Sequence, residues 1–294
     1  MESIQSKLIK CLIKIKKGKA PIGVSKDEVI RRQTSENINP PRKITNNFIV
    51  EEKHITNYIY YVIKPNNSSS EKNILYLHGG GYVYQIMSFH WNFIEYLLRK
   101  TNATITVPIY PLAPKNGVKE IFNMLNPIYN QLISKGSERL SIIGDSAGGG
   151  IALALAELQK KKGNRQPKNI ILISPWLDIK LKNPNIMSLL KYDVLMDLSL
   201  RRFGKMYAKN IKKNQEYLVS PLYGDLEGLG KITLFVGTSE LFLADCRQLK
   251  QKCDSLGIII NYNEYPKMMH GWVLLPLPEA KLARKEIVKV IQEK

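Results

Sequence analysis

From residue 74 onward, the sequence alternates between short apolar runs and longer stretches of helical periodicity. The apolar runs cover residues 74–77, 103–107, 140–143, 170–173, 232–236 and 258–262, and the helical stretches between and after them cover 93–100, 121–133, 147–161, 241–256 and 279–293. Strands that are apolar throughout cannot leave one face in water, and strands that alternate with helices are typical of parallel sheets. The pattern therefore predicts a parallel sheet that is covered by helices on both faces.

Two segments depart from this alternation. Residues 48–63 alternate apolar and polar side chains, which predicts two antiparallel strands ahead of a polar loop at residues 65–70. Residues 180–218 contain two helix-like segments and no strand pattern. An insertion that follows a strand of a parallel sheet lies at the carboxyl edge, where ligands bind. We therefore expect one α/β domain over residues 1–294 with a helical cap.

The composition excludes several classes of protein and site. With 44% hydrophobic residues among 294, the chain can bury a sizeable core and is not disordered. Its 3 cysteines form no CxxC pair and its 4 histidines no HxxxH pair, so neither a disulfide framework nor a metal site is predicted. The net charge of +19 favours anionic surfaces, but the lysines are scattered, and we predict no nucleic-acid partner.

The N-terminal segment has the pattern of an amphipathic helix. Lysines interrupt its apolar residues, so neither a signal peptide nor a membrane span is predicted, and a cytoplasmic location is expected. One face carries Ile4, Leu8, Cys11, Leu12 and Ile15, and the other carries Lys7, Lys10, Lys14 and Lys17. We expect the apolar face to pack on the domain itself. Contact of this helix with an anionic membrane surface is the alternative.

A G-x-S-x-G motif joins an apolar run to a helical stretch. The run at 140–143 leads directly into Gly144-Asp145-Ser146-Ala147-Gly148, which is the strand–turn–helix context of a nucleophile elbow. Side chains at positions 144 and 148 would collide with neighbouring backbone, which requires glycine there. Ser146 is therefore the predicted nucleophile, and Asp145 is expected to be structural. A glycine-rich turn that binds phosphate is the alternative.

A second glycine motif follows the run at residues 74–77. His78 precedes three glycines, which leave backbone N–H groups open to a substrate. In loops of this HGGG type, such groups stabilise an oxyanion together with the N–H after the nucleophile. Gly80, Gly81 and Ala147 are the predicted donors, and His78 and Gly79 are expected to support the loop.

The remaining catalytic groups are predicted from chain order. In this arrangement the nucleophile is followed by an acid and then by a histidine. His270 comes after the last apolar run, and Glu240 comes at the end of the run at 232–236. Asp245 is expected on the helix that follows. An alternative for Glu240 is a capping role at the start of that helix.

These motifs resemble the hormone-sensitive lipase family of α/β-hydrolases, a group of carboxylesterases and lipases. The matching segments are residues 78–81, 110–114, 144–149, 174–176, 220–222, 237–240 and 270–271. The resemblance implies an eight-stranded, mostly parallel sheet and a cap formed by residues 1–42 and 180–218. Many members have Asp at the position of Glu240.

The resemblance also implies a reaction. Ser146, Glu240 and His270 would hydrolyse short- to medium-chain acyl esters of small molecules through an acyl-enzyme, without a cofactor or metal. Two alternatives stay open: an amidase or deacetylase with the same triad, and a noncatalytic small-molecule receptor, which would be expected to lose triad residues. Both a monomer and a homodimer are compatible with the sequence. Aromatic residues that could line an apolar pocket, or belong to the core, are Tyr82, Trp176, Phe203, Tyr207 and Trp272.

Overall fold

The computed structural model describes residues 2–17, 25–67 and 70–293. The helices are α1 (Ile4–Lys17), α2 (Lys26–Ser35), α3 (Arg42–Thr45), α4 (Ser88–Thr101), α5 (Val118–Ile133), α6 (Ala147–Lys161), α7 (Ile186–Leu189), α8 (Leu200–Tyr207), α9 (Leu243–Ser255) and α10 (Pro278–Gln292). The strands are β1 (Phe48–Ile55), β2 (Tyr58–Pro65), β3 (Asn73–Leu77), β4 (Thr104–Pro108), β5 (Leu140–Asp145), β6 (Asn169–Ile173), β7 (Lys231–Gly237) and β8 (Ile260–Tyr265). Residues 18–24 of the expected cap and residues 68–69 of the expected polar loop lie outside the described residues.

The strands form one eight-stranded sheet in the order β1-β2-β4-β3-β5-β6-β7-β8. The hairpin β1–β2 is antiparallel and joins the sheet through an antiparallel pairing of β2 with β4. The other pairings are parallel. The eight-stranded, mostly parallel sheet that the family resemblance implied is therefore confirmed. Because Leu77 of β3 pairs with Gly144 of β5, the two glycine motifs leave the sheet side by side.

Successive strand residues point to opposite faces, and a helical layer covers each face. On one face, Leu75 and Leu77 pack in a cluster that includes residues of α5, α6 and α9. On the other, Ile74 and Tyr76 pack with residues of α4 and α10. This two-sided burial explains why the strands read as continuous apolar runs.

The insertion between β6 and β7 contributes helices α7 and α8 beside the carboxyl edge of the sheet, as its pattern indicated. The Phe203 ring of α8 lies next to Gly81, since a methyl group built on that glycine would be 3.1 Å from the ring. From the N-terminal segment, the Gln33 amide of α2 donates to the carbonyls of Val83 and Ala113, at 2.7 Å each. Both segments thus border the loop that carries Gly80 and Gly81.

Helix α1 packs through a different face from the one we expected. Its Ser6 is buried, and Ile9 and Ile13 pack against the core. The predicted apolar stripe faces outward instead: Ile4 is 81% exposed, Leu8 59%, Leu12 51% and Ile15 58%, and Cys11 is also exposed. The expectation that this stripe packs on the domain is therefore wrong. Among the described residues, no helix has the length and apolarity needed to cross a bilayer.

Candidate active site

Ser146 stands on a sharp turn between β5 and α6. Its φ of 52° and ψ of −120° place a non-glycine residue in a left-handed conformation, which lifts its hydroxyl away from the sheet. The turn fits only because the flanking positions are glycines. A methyl group on Gly144 would lie 2.2 Å from the carbonyl oxygen of Gly148, and one on Gly148 would lie 2.0 Å from that of Leu77.

The structure brings the three predicted catalytic side chains into one hydrogen-bonded chain. His270 Nε2 lies 3.0 Å from Ser146 Oγ, and His270 Nδ1 lies 2.8 Å from Glu240 Oε2. A carboxylate only accepts, so Nδ1 carries the proton and Nε2 can accept the proton of the serine hydroxyl. This is the geometry that a serine nucleophile and its general base require.

Glu240 is fully buried and is held at both oxygens. Its Oε1 accepts hydrogen bonds from the Gly237 backbone N–H at 2.6 Å and from Ser174 Oγ at 2.8 Å. The alternative role as a cap of the next helix does not match these contacts, because α9 begins only at Leu243. Asp245 lies in the first turn of α9, as predicted. The longer Glu side chain is thus fixed in the direction of the histidine.

Ser174 is a site residue whose role sequence reasoning did not identify. Its hydroxyl donates to Glu240 and accepts from the Gly271 backbone N–H at 3.2 Å. It therefore connects the loop that carries Glu240 to the loop that carries His270. The available signal was its place directly after β6, in a Ser-Pro-Trp segment that matched the family pattern.

Asp193 is a second residue that sequence reasoning missed. It belongs to the inserted segment, yet its Oδ2 accepts from the Leu241 backbone N–H at 2.8 Å, next to Glu240. Its Oδ1 accepts from the N–H groups of Leu195 and Met196, at 2.9 and 2.8 Å. The Asp193 carboxylate therefore connects the inserted segment to the loop that carries Glu240. The sequence pattern of the insertion does not indicate such a contact.

Burial and charge act on His270 in opposite directions. Burial disfavours the imidazolium and lowers the pKa of His270, but the hydrogen bond and the negative charge of Glu240 raise it, and the charges of Asp193 and Asp145 add to that increase. The net effect is a His270 pKa above its ordinary value of 6.5. A more basic imidazole is a better acceptor for the proton of Ser146.

The loop of three glycines faces the nucleophile. Gly80 and Gly81 adopt φ values of 122° and 63°, and both line the same cavity as Ser146. Ala147 is the first residue of α6, where the N–H groups have no partner within the helix. Two of the predicted donors thus border the cavity of Ser146, and the third follows Ser146 directly in the chain.

His78 lies behind this loop and does not reach the cavity. Its Nδ1 lies 2.6 Å from the Gly79 carbonyl oxygen, and its ring stacks on Tyr110 with centroids 4.3 Å apart. The hydroxyl of Tyr110 also donates to the His78 carbonyl at 2.6 Å. Burial and the neighbouring His90 lower the pKa of His78 to about 3, so this imidazole is neutral at ordinary pH. Its contacts suit support of the loop.

Asp145, next to the nucleophile, holds the first glycine of the loop. Its Oδ2 accepts from the Gly79 N–H at 3.0 Å and lies 3.3 Å from His90 Nε2. Its Oδ1 accepts from the Tyr76 hydroxyl at 2.7 Å. Burial alone would raise the pKa of Asp145, but His90 and Tyr76 outweigh it and leave this pKa below its usual value. A charged, buried carboxylate thus connects the elbow to the oxyanion loop.

His90 precedes the nucleophile in the chain, so the expected order of nucleophile, acid and histidine excludes it as the base. The structure places it on α4 with its Nδ1 accepting from the Met87 N–H at 2.9 Å, which leaves Nε2 to donate to Asp145. It therefore takes part in positioning the loop rather than in the reaction itself. Chain order could exclude it as the base but could not indicate this role.

A cavity of about 440 Å³ opens beside Ser146. The inserted segment contributes Leu195, Leu200 and Phe203 to its wall, and α1 contributes Ile13. Of the five aromatic residues proposed for the pocket, Trp176 and Phe203 line this cavity. The other three lie in the packed core: Tyr82 stacks on Tyr207 with centroids 3.8 Å apart, and Trp272 packs on Tyr265. Within the described ranges, no cluster of three His, Cys, Asp or Glu residues could hold a metal ion.

Comparison with known proteins agrees with this geometry. Residues 74–274 match the family model described as alpha/beta hydrolase fold. The chain is 28% identical over 227 residues to an esterase of Acinetobacter venetianus, with 76% of this chain and 75% of that protein aligned. It is 28% identical over 242 residues to a triacylglycerol lipase of Mycobacterium tuberculosis, with 81% of this chain but only 51% of that lipase aligned. The crystal structure of an esterase from the bacterial hormone-sensitive lipase family has the same fold, with a TM-score of 0.84 at 24% identity over 99% of this chain and 98% of that one.

Proposed function

The chain belongs to the α/β-hydrolase fold family as an enzyme that hydrolyses carboxylic esters, and from this premise we propose a serine carboxylesterase for short- to medium-chain acyl esters of small molecules. The resemblance to the hormone-sensitive lipase family is confirmed by the relatives and the shared fold. The observation that carries the finer proposal is the chain of hydrogen bonds from Ser146 through His270 to Glu240, facing an apolar cavity.

In the proposed reaction, Ser146 attacks the ester carbonyl while His270 Nε2 accepts its proton. Glu240 keeps the proton on Nδ1 and stabilises the imidazolium that forms. His270 then gives the proton to the leaving alcohol, and the acyl group stays on Ser146. A water molecule repeats the attack, again with His270 as the base, and releases the carboxylic acid. No step requires a cofactor.

The developing oxyanion would be held by the backbone N–H groups of Gly80, Gly81 and Ala147. Each such donor typically contributes about 3 kcal/mol to the stability of the transition state. The α6 N-terminus adds its partial positive charge at the same place. Because these groups are backbone atoms, their placement depends on the conformation of the loop and the elbow.

The proposed size of the substrate follows from the cavity. At about 440 Å³ it lies toward the small end of ligand-binding cavities. Most of the exposed wall is apolar and includes Leu, Met, Phe, Ile and Trp side chains, which favour an apolar acyl group over a charged one. A short or medium acyl chain fits this space better than a long one.

The proposal is tested by hydrolysis of p-nitrophenyl acetate, butyrate, octanoate and palmitate. We expect the rates to be highest with the shorter esters and lowest with palmitate, because the cavity limits the acyl length. Ser146→Ala should lower kcat by roughly 10⁴-fold or more, since the nucleophile is lost. A matched control is Ser255→Ala, which removes an exposed hydroxyl at the end of α9.

Intact mass spectrometry after treatment with a fluorophosphonate provides a second measurement. The wild type should gain the phosphonyl group at Ser146, and Ser146→Ala should not. Activity retained by Ser146→Ala would contradict the mechanism. Turnover of p-nitroacetanilide without turnover of the esters would favour the amidase, and ligand binding without any turnover would favour the receptor.

A further inference from the structure

Helix α1 carries its apolar stripe on the side opposite the domain. Ile9 and Ile13 face the core, whereas Leu8 and Leu12, one position earlier in each case, are 59% and 51% exposed. Ile4 and Ile15 extend the stripe along the length of the helix, at 81% and 58% exposed. A row of large apolar side chains over a whole helix is more than the scattered exposure that soluble surfaces normally show.

Polar contacts fix this orientation of the helix. At its start, the backbone N–H and hydroxyl of Ser3 both donate to the carboxylate of Glu279 on α10, at 2.6 and 2.9 Å. Midway, the ammonium group of Lys10 pairs with Glu2 at 2.7 Å and donates to the Lys267 carbonyl. A rotation that buried the apolar stripe would break these contacts. The outward stripe is therefore a built feature of the fold.

The charges around the stripe are positive. Lys7 and Lys14 are exposed and lie two turns apart on one flank of the helix, between its inward and outward faces. Lys267, which Lys10 contacts, is exposed beside the same helix. No acidic residue occurs within α1, and Glu2 before it is paired. Apolar side chains flanked by lysines are the pattern of a helix that lies in a lipid–water interface.

We propose that α1 docks this enzyme on an anionic lipid surface. In that arrangement the stripe of Ile4, Leu8, Leu12 and Ile15 enters the acyl boundary, and Lys7 and Lys14 reach the phosphate groups of the lipids. Contact with the surface requires no hydrolysis and does not depend on the function proposed above.

The docked orientation also places the active site near the surface. Ile13 of α1 lines the cavity of Ser146, together with Leu195, which is 38% exposed in the inserted segment. The helix that contacts the lipid therefore forms part of the wall of the substrate cavity. Esters dissolved in the lipid would meet this cavity after a short path.

The charges disfavour a second copy of the chain as the occupant. Two α1 helices packed stripe to stripe would bring Lys7 and Lys14 of both copies together, on molecules that each carry a net charge of +19. An anionic lipid surface relieves this repulsion and covers the same apolar side chains.

The test is sedimentation of the purified protein with vesicles of phosphatidylcholine alone or with about one third phosphatidylglycerol. We expect binding to the anionic vesicles that weakens as salt is added. Leu8→Ser/Leu12→Ser should weaken binding at least about tenfold, because two apolar side chains leave the acyl boundary. Lys7→Gln/Lys14→Gln should weaken it about thirtyfold, because each lysine near an anionic surface contributes about a factor of five.

Matched control variants change residues at the amino ends of the strands, opposite the carboxyl edge. Leu256→Ser/Ile259→Ser changes two residues that are 43% and 92% exposed before β8, and Lys135→Gln/Lys162→Gln removes two exposed charges after α5 and α6. Both controls should bind as the wild type does. The Leu8→Ser/Leu12→Ser variant should also hydrolyse p-nitrophenyl acetate in solution at the wild-type rate, since neither residue lines the cavity, which shows that it is folded.

Three results would overturn the proposal. The first is equal binding to the two kinds of vesicle, or no binding to either. The second is a loss of binding in the control variants as large as in the α1 variants. The third is a dimer in solution that Leu8→Ser/Leu12→Ser converts to a monomer, which would make a second copy the occupant. Ester hydrolysis retained by Ser146→Ala would overturn the function proposed above and would leave these three measurements unchanged, so the two proposals fail separately.

Discussion

The surroundings of His270 set the pKa of its imidazole through two opposing effects. The imidazole is almost completely buried, which disfavours its charged form, but the carboxylate of Glu240 at 2.8 Å reverses that effect. Glu240 can do so because its other oxygen is held by Gly237 and Ser174. The basicity of one residue thus depends on how firmly the next is oriented.

The raised pKa of His270 predicts the acid limb of the pH profile. Below its pKa the imidazole is protonated and cannot accept the proton of Ser146, so activity falls as the pH decreases through that value. The midpoint of kcat/KM should therefore lie above 6.5, the ordinary imidazole value. Glu240→Gln removes the negative charge, so the midpoint should move to lower pH and kcat should fall by roughly 10³-fold or more.

This is measured as kcat/KM for p-nitrophenyl butyrate between pH 5 and 9. Glu264→Gln is the control, because this carboxylate pairs with Arg247 on the surface, at 2.8 Å, and does not contact His270. A midpoint that stays in place in Glu240→Gln would contradict the assigned role of Glu240.

At the scale of elements, the oxyanion loop is positioned by contacts from the elbow, β3 and α4. Asp145 of the elbow accepts from Gly79, and Gly79 must be a glycine, because a methyl group there would lie 2.3 Å from the Asp145 carboxylate. His90 of α4 and Tyr76 of β3 hold the same carboxylate. The loop conformation is therefore a property of three packed elements and not of the glycines alone.

Asp145→Asn tests this coupling. An amide cannot accept at both of its positions, so either Gly79 or Tyr76 loses its partner and the loop shifts. We expect kcat to fall by about 10- to 100-fold with little change in KM, because the oxyanion donors act in the transition state.

Tyr76→Phe is the matched control for the kinetics. It removes the hydrogen bond to Oδ1 and leaves the one between Oδ2 and Gly79, so kcat should fall much less. A purely structural role would instead lower the thermal stability of both variants while their kcat values stay alike. Thermal unfolding of both variants, measured beside the kinetics, separates the two cases.

For the molecule as a whole, buried carboxyls set how stability responds to pH. Glu157 on α6 is 2% exposed, and neither of its oxygens has a hydrogen-bond partner among the described residues. Burial raises the pKa of Glu157 from 4.5 to about 9. Between these values the folded chain keeps a proton that the unfolded chain releases, so the free energy of unfolding decreases as the pH rises.

Glu157→Gln should remove this dependence. The free energy of unfolding of the variant, relative to the wild type, should increase by up to about 1.4 kcal/mol per pH unit between pH 5 and 8. Urea unfolding at several pH values measures it, with Glu138→Gln as the control, since Glu138 is 66% exposed. A constant difference between variant and wild type would show that Glu157 ionises in the folded state as it does in the unfolded one.

The order of the candidate catalytic residues along the chain could be predicted from the sequence. The nucleophile elbow and the oxyanion loop are local patterns, since the residues that each of them requires are adjacent in the chain. These residues are the run at 140–143 with the glycines around Ser146, and the segment His78–Gly79–Gly80–Gly81. The inner strands were equally clear, because burial on both faces leaves mainly apolar residues in them, whereas the edge strand β8 is only partly buried and contains Asn261, Asn263 and Glu264. Chain order then indicated Glu240 and His270, and the structure places both within hydrogen-bond distance of their expected partners.

Other features were decided by contacts between distant segments. Ser174, Asp193 and His90 act on groups 66, 48 and 55 positions away in the chain, and no local pattern reports such distances. The outward face of α1 is a second case. Periodicity determined that the helix has an apolar stripe, but the contact of Ser3 with Glu279, 276 positions later, determined which way the stripe points. Local sequence patterns thus determine which helices and strands form. Contacts between distant segments determine what each face of a helix or strand packs against.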